Sequence, residues 1–218
     1  YPIKNLIETH GQIPEEYLQN RSCPNCGNDN ANEIELKKDY LNLVKCSLCK
    51  LVFTNPLFDE EHYKEIYKSE EYQNIVKDLG ESSHIYRKDR FGKERINNIT
   101  KHFISKKIKI LDVGCSTGFF VEAAKENGLD CIGIDLNPSA IEFGKKRGLE
   151  LYVKDIFDIN NQYFDVITLF DVLEHLTNPS RIIDKTYELL NSKGIISIYV
   201  PNYDSASRIF MGNHAHFI

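Results

Sequence analysis

From residue 107 to residue 200 the chain alternates short apolar runs with helical stretches, and this rhythm limits the possible folds more than any other feature. Residues 107–113 read as an apolar strand that ends in a glycine turn, and residues 117–127 read as a helix stopped by Gly128. The second strand is 130–135. Asn137 and Pro138 then give a cap residue followed by proline, a helix start. That helix stops at Gly148, and 149–153 is a third strand. Residues 163–170 form a fourth strand, apolar on both faces as a buried parallel strand should be. Asn178 and Pro179 repeat the cap-plus-proline start of a helix running to about residue 190. Gly194 leads into a fifth strand, 195–200. Strands and helices in this order predict an α/β fold, a doubly wound, Rossmann-like and mostly parallel sheet with right-handed crossovers. Ligands of such sheets bind at the carboxyl ends of the strands.

The loop after the first strand reads Asp112-Val113-Gly114-Cys115-Ser116-Thr117-Gly118. Its spacing, Asp-x-Gly-x-x-x-Gly, does not fit the dinucleotide fingerprint, because Ser116 stands where the second glycine should be. A pyrophosphate is therefore not the expected ligand. Asp135 closes the second strand, seventeen residues after Gly118, where a carboxylate can accept from both ribose hydroxyls. Asp155 and Ile156 follow the third strand, where an adenine would lie. These positions describe an adenosine site without a phosphate site.

In that combination the last half of the chain resembles the class I S-adenosylmethionine-dependent methyltransferases. The matching residues are the loop 111–118, Gly133-Ile134-Asp135, Asp155-Ile156, and Phe164 to Ile167 with Asp171-Val172-Leu173-Glu174-His175. The resemblance implies roles. The backbone around Gly114, Cys115 and Gly118 would meet the methionine part of the cofactor, and Asp112 would hold its amino group. Asp135, with Leu136 beside it, would bind the ribose. Asp155 and Ile156 would flank the adenine, and Phe170 and Asp171 would line the pocket near the sulfonium. A complete fold of this kind has two more strands after the fifth, so the C-terminal strands are expected to lie outside this sequence.

Of six cysteines, four form two pairs, Cys23-x-x-Cys26 and Cys46-x-x-Cys49, nineteen residues apart. This spacing suits a four-thiolate zinc site, and four thiolates leave no open coordination position, so the metal is expected to be structural. The run from Cys46 to Pro56 is similar to the N-terminal zinc ribbon of some bacterial methyltransferases that modify sugars, sugar nucleotides or natural-product intermediates. That pattern has glycine after the last cysteine. Here Lys50 stands there and is expected to adopt a left-handed backbone.

The expected organisation is a lead-in over 1–20, the ribbon over 21–55, a helical linker or lid over 56–105, and the cofactor-binding domain over 106–218. Helical spacing is clearest over 86–103, at Phe91, Ile96, Ile99 and Phe103. No run is long and apolar enough to span a membrane, no secretory signal is visible, and paired thiols imply a reducing, cytoplasmic setting.

Methyl transfer is an in-line displacement, and a hydroxyl acceptor calls for a general base. His175 is the leading candidate, with Glu174 beside it at the mouth after the fourth strand. His84 and Tyr86 before the first strand, and His214 and His216 after the fifth, are further ones. A net charge of -5, with only short basic runs at Lys37-Lys38, Lys106-Lys107 and Lys145-Lys146-Arg147, argues against a nucleic-acid partner. The Asn-Pro-Pro-Tyr type of motif used on exocyclic amines is absent after the fourth strand. The expected function is methyl transfer to a small-molecule acceptor, a sugar, nucleotide sugar or natural-product intermediate. An RNA methyltransferase gripping RNA by its ribbon, and a non-catalytic ribbon that binds partner proteins, are the alternatives. Oligomeric state is not encoded in any pattern here.

Overall fold

The computed structural model describes residues 13–29, 33–38, 41–59, 62, 65, 68–104 and 107–211. By contact they divide into two compact units. One comprises 1–72 with 177–180 and 201–218; the other comprises 73–176 with 181–200.

The first unit is built on short strands. A helical turn at Glu15–Tyr17 leads into β1 (Leu18–Gln19), and β2 (Glu33–Lys38), β3 (Leu41–Lys45) and β4 (Val52–Thr54) follow, then β5 (Leu57–Phe58). Strands β2, β3 and β4 form an antiparallel sheet in sequence order, and β1 pairs antiparallel with β5. The expected lead-in therefore contributes a strand, and the strand that closes on it lies beyond residue 55. Among the described residues, the cluster around the cysteines is small, with Cys23, Val44, Cys46 and Phe53 packed together and Cys49 against them. Arg21 ties the unit together. Its Nε donates to the Thr54 carbonyl and its Nη1 to that of Thr177, while its guanidinium stacks over Phe53. Ser180 Oγ donates to the Pro24 carbonyl. Residues 177–180 thus pack with the ribbon and not with the sheet that precedes them in sequence.

Helix α1 (Glu70–Arg87) carries the chain into the second unit and continues through one wide π turn at Lys88–Gly92 into α2 (Lys93–Thr100). Within the helical segment expected over 56–105, clearest over 86–103, the helix runs from Glu70 to Thr100 and ends before Phe103. Next come β6 (Lys109–Val113), α3 (Phe119–Glu126), β7 (Asp130–Asp135), α4 (Pro138–Lys146), β8 (Leu151–Val153), β9 (Phe164–Phe170), α5 (Pro179–Glu188), β10 (Leu190–Tyr199) and a short α6 (Ala206–Met211), the last belonging to the first unit. The sheet order is β10-β9-β6-β7-β8, every pair parallel. The chain reverses its direction of travel between β6 and β9, which places the switch-point crevice at their carboxyl ends.

Both faces of the sheet are covered, as the apolar runs require. Ile110 and Val166 face one core, with Phe119, Phe120 and Ala123 of α3 and Ile96 and Ile99 of α2. Leu111, Val113, Ile167 and Leu169 face the other, with Ile156 and Leu189. Caps behave as expected. Asn137 Oδ1 accepts from Ala140 N, and Gly128 and Gly148 take positive φ after α3 and α4. Regular pairing of β10 starts at Ile195; between Leu190 and Ile195 the register slips, with Lys193 at φ 68°. Among the described residues no helix is long and apolar enough to cross a membrane.

Candidate functional site

The glycine loop turns sharply because three of its residues take left-handed backbone, Gly114 at φ 70°, Ser116 at 50° and Gly118 at 81°. A Cβ on Gly114 would stand 2.6 Å from Val172 Cγ2, so only glycine fits this close approach of loop and β9 end. Gly114 N and Cys115 N both donate to the Ile134 carbonyl, and Ser116 N donates to Asp135 Oδ2 at 2.7 Å. Asp135 Oδ1 accepts from Asn137 N at 2.8 Å. The Asp135 carboxylate therefore already organises the loop, and each oxygen keeps a lone pair for a further donor. Burial raises its pKa, and the amides of Asn137, Ser116 and Leu136 oppose the shift.

Around that loop the expected residues separate into two groups. Asp112, Gly114, Gly118, Asp135 and Asp171 come together at the carboxyl ends of β6, β7 and β9. Leu136, 64% exposed, projects beyond the end of β7. Asp155 is half-buried and caps the turn at Ile156–Asp158, accepting from Phe157 N. Cys115 and Ile156, by contrast, point their side chains into the two cores, so only their backbone can meet a ligand. Phe170 is buried against Phe120 and lies with the core. Glu174 and His175 stand exposed on a short turn, Leu173–His175, after β9, and partial desolvation raises the Glu174 carboxyl pKa.

The other histidines fare differently. His84, one of the expected bases, is 1% exposed and fully engaged, with Nδ1 2.9 Å from Thr117 Oγ1 and Nε2 2.6 Å from Glu122 Oε2. It is not a free base at a pocket mouth. Tyr86 is exposed on α1, its ring edge-on to Phe91. His214 and His216 lie outside the described residues.

Asp112 is 3% exposed and accepts from Thr168 Oγ1 at 2.6 Å. Burial pushes its pKa up to about 7, against the Thr168 hydrogen bond and the Arg95 charge, with the Asp135 charge adding to the rise. Two arginines that the sequence gave no reason to select stand by it. Arg95 stacks over Phe170 at 4.2 Å and Tyr199 at 4.8 Å, and its Nη2 lies 3.7 Å from Asp171 Oδ2. Its Nη1 is buried without a hydrogen-bond partner. Arg87 stacks over Phe119 at 4.3 Å, 3.8 Å from the same carboxylate. Eight residues apart, the two would diverge by roughly 80° on a regular helix, and the π turn absorbs the extra residue so that both reach Asp171. Asp171 itself is held at φ 58°, its N–H donating to the Tyr199 carbonyl. An unpaired buried guanidinium N–H beside a buried carboxyl is a ready receptor for a zwitterion, with carboxylate to Arg95 and ammonium to Asp112. The α-amino-acid end of S-adenosylmethionine fits this donor set.

In the first unit, the sulfurs of Cys23, Cys26, Cys46 and Cys49 all lie within 4.8 Å of one another. Tetrahedral zinc with bonds of about 2.3 Å would set them about 3.8 Å apart, close to the 3.5 Å of Cys23–Cys49 and the 3.7 Å of Cys26–Cys46. Each pair closes the same knuckle. Gly27 N donates to the Cys23 carbonyl and Lys50 N to that of Cys46, with Gly27 at φ 69° and Lys50 at φ 66°. The left-handed Lys50 expected from the sequence is there. The cluster could hold one zinc ion with no position left open.

A family described as "Methyltransferase domain" matches residues 86–217. The "Ubiquinone biosynthesis O-methyltransferase" of Xylella fastidiosa (strain 9a5c) is 29% identical over 121 residues, 49% of this chain and 49% of that protein. The mitochondrial protein of the same name from Candida albicans is 34% identical over 122 residues, 49% of this chain and 37% of its own length. The chain thus spans about half the length, or less, of these curated relatives. Among solved structures, the plantazolicin methyltransferase BpumL in complex with a pentazolic desmethylPZN analog and SAH superposes with a TM-score of 0.55 at 20% identity, over 67% of this chain and 63% of that one. An S-adenosylmethionine-dependent methyltransferase from Clostridium acetobutylicum ATCC 824 gives 0.50 at 19% identity, over 60% and 61%. At these identities the structures establish the fold.

Proposed function

The chain belongs to the methyltransferase-domain family, and on that premise we propose that it binds S-adenosylmethionine at the β6–β9 crevice and transfers the methyl group to an oxygen of a small-molecule acceptor. The observation that carries the cofactor reading is the buried Arg95 N–H without a partner, set beside the buried Asp112 carboxyl. The bound cofactor supplies an electrophilic methyl group on a sulfonium. Arg95 holds the carboxylate of its methionine part, Asp112 accepts from the ammonium, and Asp135 accepts from the ribose hydroxyls. Asp155 and the backbone of Ile156 would flank the adenine. On the acceptor side Glu174 or His175 would take the proton of the acceptor hydroxyl.

The name of the curated relatives supports oxygen as the methylated atom. Sugars, nucleotide sugars and natural-product intermediates are the acceptor class proposed, from the resemblance of the ribbon. The strongest basic run supports a small acceptor over a nucleic acid, because Arg147 is held bidentate by Glu122 and Lys146 pairs with Glu142. Structural zinc at the four cysteines completes the proposal.

Calorimetric titration with S-adenosylhomocysteine, with NAD as control, tests it. Affinity should rise with pH up to about 7 and then level off, because below that value Asp112 must shed a proton before it can accept from an ammonium, at about tenfold per unit. Near pH 6.5 the heat should depend on the buffer's ionisation enthalpy, reporting proton release. The linked stability runs the other way. A carboxyl whose folded pKa is raised stabilises the ligand-free fold at low pH, and that contribution is lost as pH rises through about 7. An Arg95→Met variant should bind S-adenosylhomocysteine about tenfold or more weakly, yet bind 5′-methylthioadenosine, which lacks the amino-acid end, as the wild type does. Equal losses for the two ligands would remove Arg95 from the carboxylate site.

A further inference from the structure

His84 is a buried ionisable group that the proposed chemistry does not use. It sits near the end of α1, yet both ring nitrogens are committed to the segment that carries the glycine loop into α3. Arg147 grips both Glu122 oxygens, its Nε 2.9 Å from Oε2 and its Nη2 2.8 Å from Oε1. Lys88 stands 3.7 Å from Oε1. With Arg147 as the main cause, the Glu122 pKa falls to about 2, so this carboxylate is ionised and can only accept. Nε2 of His84 must therefore carry the proton. Burial lowers the pKa of His84 against the opposing pull of Glu122, so the ring is neutral and Nδ1 can only accept. The Thr117 hydroxyl must then donate to it. The chain Arg147–Glu122–His84–Thr117 has one consistent set of proton positions, and it ends inside the cofactor loop. Phe143 packs edge-on to the imidazole at 5.5 Å. The backbone shows the same contact independently. A Cβ on Gly80, one turn earlier on α1, would come within 2.7 Å of Thr117 Cγ2 and 3.3 Å of Ser116 Oγ, so the helix lies directly against the loop.

We propose that His84 is a positioning residue for cofactor binding, holding Thr117 so that the backbone from Gly114 to Gly118 is already set before the ligand arrives. The inference rests on reading that loop as the cofactor loop. A set loop costs the ligand no ordering entropy, so freeing it should weaken binding with no contact to the ligand removed.

Two substitutions separate this role from mere packing. The amide of an asparagine at 84 falls near the Nδ1 position and can still meet Thr117. A glutamine reaches the Nε2 position, keeping Glu122 and losing Thr117. Titration with S-adenosylhomocysteine at pH 7.5, with a thermal melt for each variant, should show His84→Asn within about threefold of wild type and His84→Gln weaker by about tenfold. Thr117→Val, nearly isosteric, should match the glutamine variant, Thr117→Ser should restore wild-type affinity, and the His84→Gln, Thr117→Val pair should be no weaker than either alone. Wild-type affinity in both His84→Gln and Thr117→Val, or additive losses in the double variant, would overturn the proposal while leaving the cofactor reading intact. A wild-type chain that does not bind S-adenosylhomocysteine would overturn both.

Discussion

Removal of zinc is expected to unfold the ribbon and to leave the cofactor site nearly as it was. The reason is the size of what remains without the metal. Among the described residues, four buried ones, two of them cysteines, form the core of β2, β3 and β4, and strands this short cannot offset the entropy of ordering themselves. Structural zinc contributes on the order of 10–16 kcal/mol of folding free energy in comparable small modules, far more than this core can. Every residue assigned to the cofactor, from Asp112 and Gly114 through Asp135 to Arg95 and Asp171, belongs to the other unit. A chelator titration followed by backbone NMR should therefore lose the signals of β2–β4 while the dissociation constant for S-adenosylhomocysteine moves by no more than about threefold, a fraction of one kcal/mol. Cys46→Ser should behave like the chelator, since Cys46 is fully buried and accepts hydrogen bonds from Cys49 N and Asn28 Nδ2. Collapse of cofactor binding in step with metal loss would refute independent folding of the two units.

What could be read from the sequence follows from how local each signal is. Buried parallel strands announce themselves as unbroken apolar runs, and glycines at obligatory left-handed positions mark the turns. Hence β6, β7, β9 and the loop between Gly114 and Gly118 were all legible. The two cysteine pairs carry their geometry in their spacing. Strands β1 and β5 were not legible, because two residues have no period and their pairing joins positions forty apart in the register of Leu18 with Phe58. Arg87 and Arg95 were hidden for a subtler reason. Helical reasoning looks for partners at seven residues, and a π turn moves the meeting point to eight. A histidine ahead of the first strand, such as His84, looks available from the sequence. Only the fold shows that Thr117 and Glu122 occupy both of its nitrogens. Phe170, with its ring face under Arg95, shows the same limit, since a sequence gives a residue's neighbours along the chain and not those stacked upon it.

Asp135→Ala carries the other large expected effect, a loss of about 100-fold or more in affinity for S-adenosylhomocysteine, from two ribose hydrogen bonds to a charged acceptor at about 1.5–3 kcal/mol each. The same substitution also strips the partner from Ser116 N and Asn137 N, so part of the loss would come from a loosened loop and not from the ribose. A ligand lacking a ribose hydroxyl separates the two. In the wild type, the 2′-deoxy or 3′-deoxy analogue of S-adenosylhomocysteine should bind more weakly than the parent, because a buried carboxylate lone pair is left without its donor. In Asp135→Ala, parent and analogue should bind alike, since no acceptor remains to tell them apart. The coupling between the two changes is the strength of the carboxylate–ribose contact, free of the loop's contribution. A deoxy penalty that persists undiminished in the alanine variant would mean that another group reads the ribose and that Asp135 serves only to shape the loop between Gly114 and Gly118.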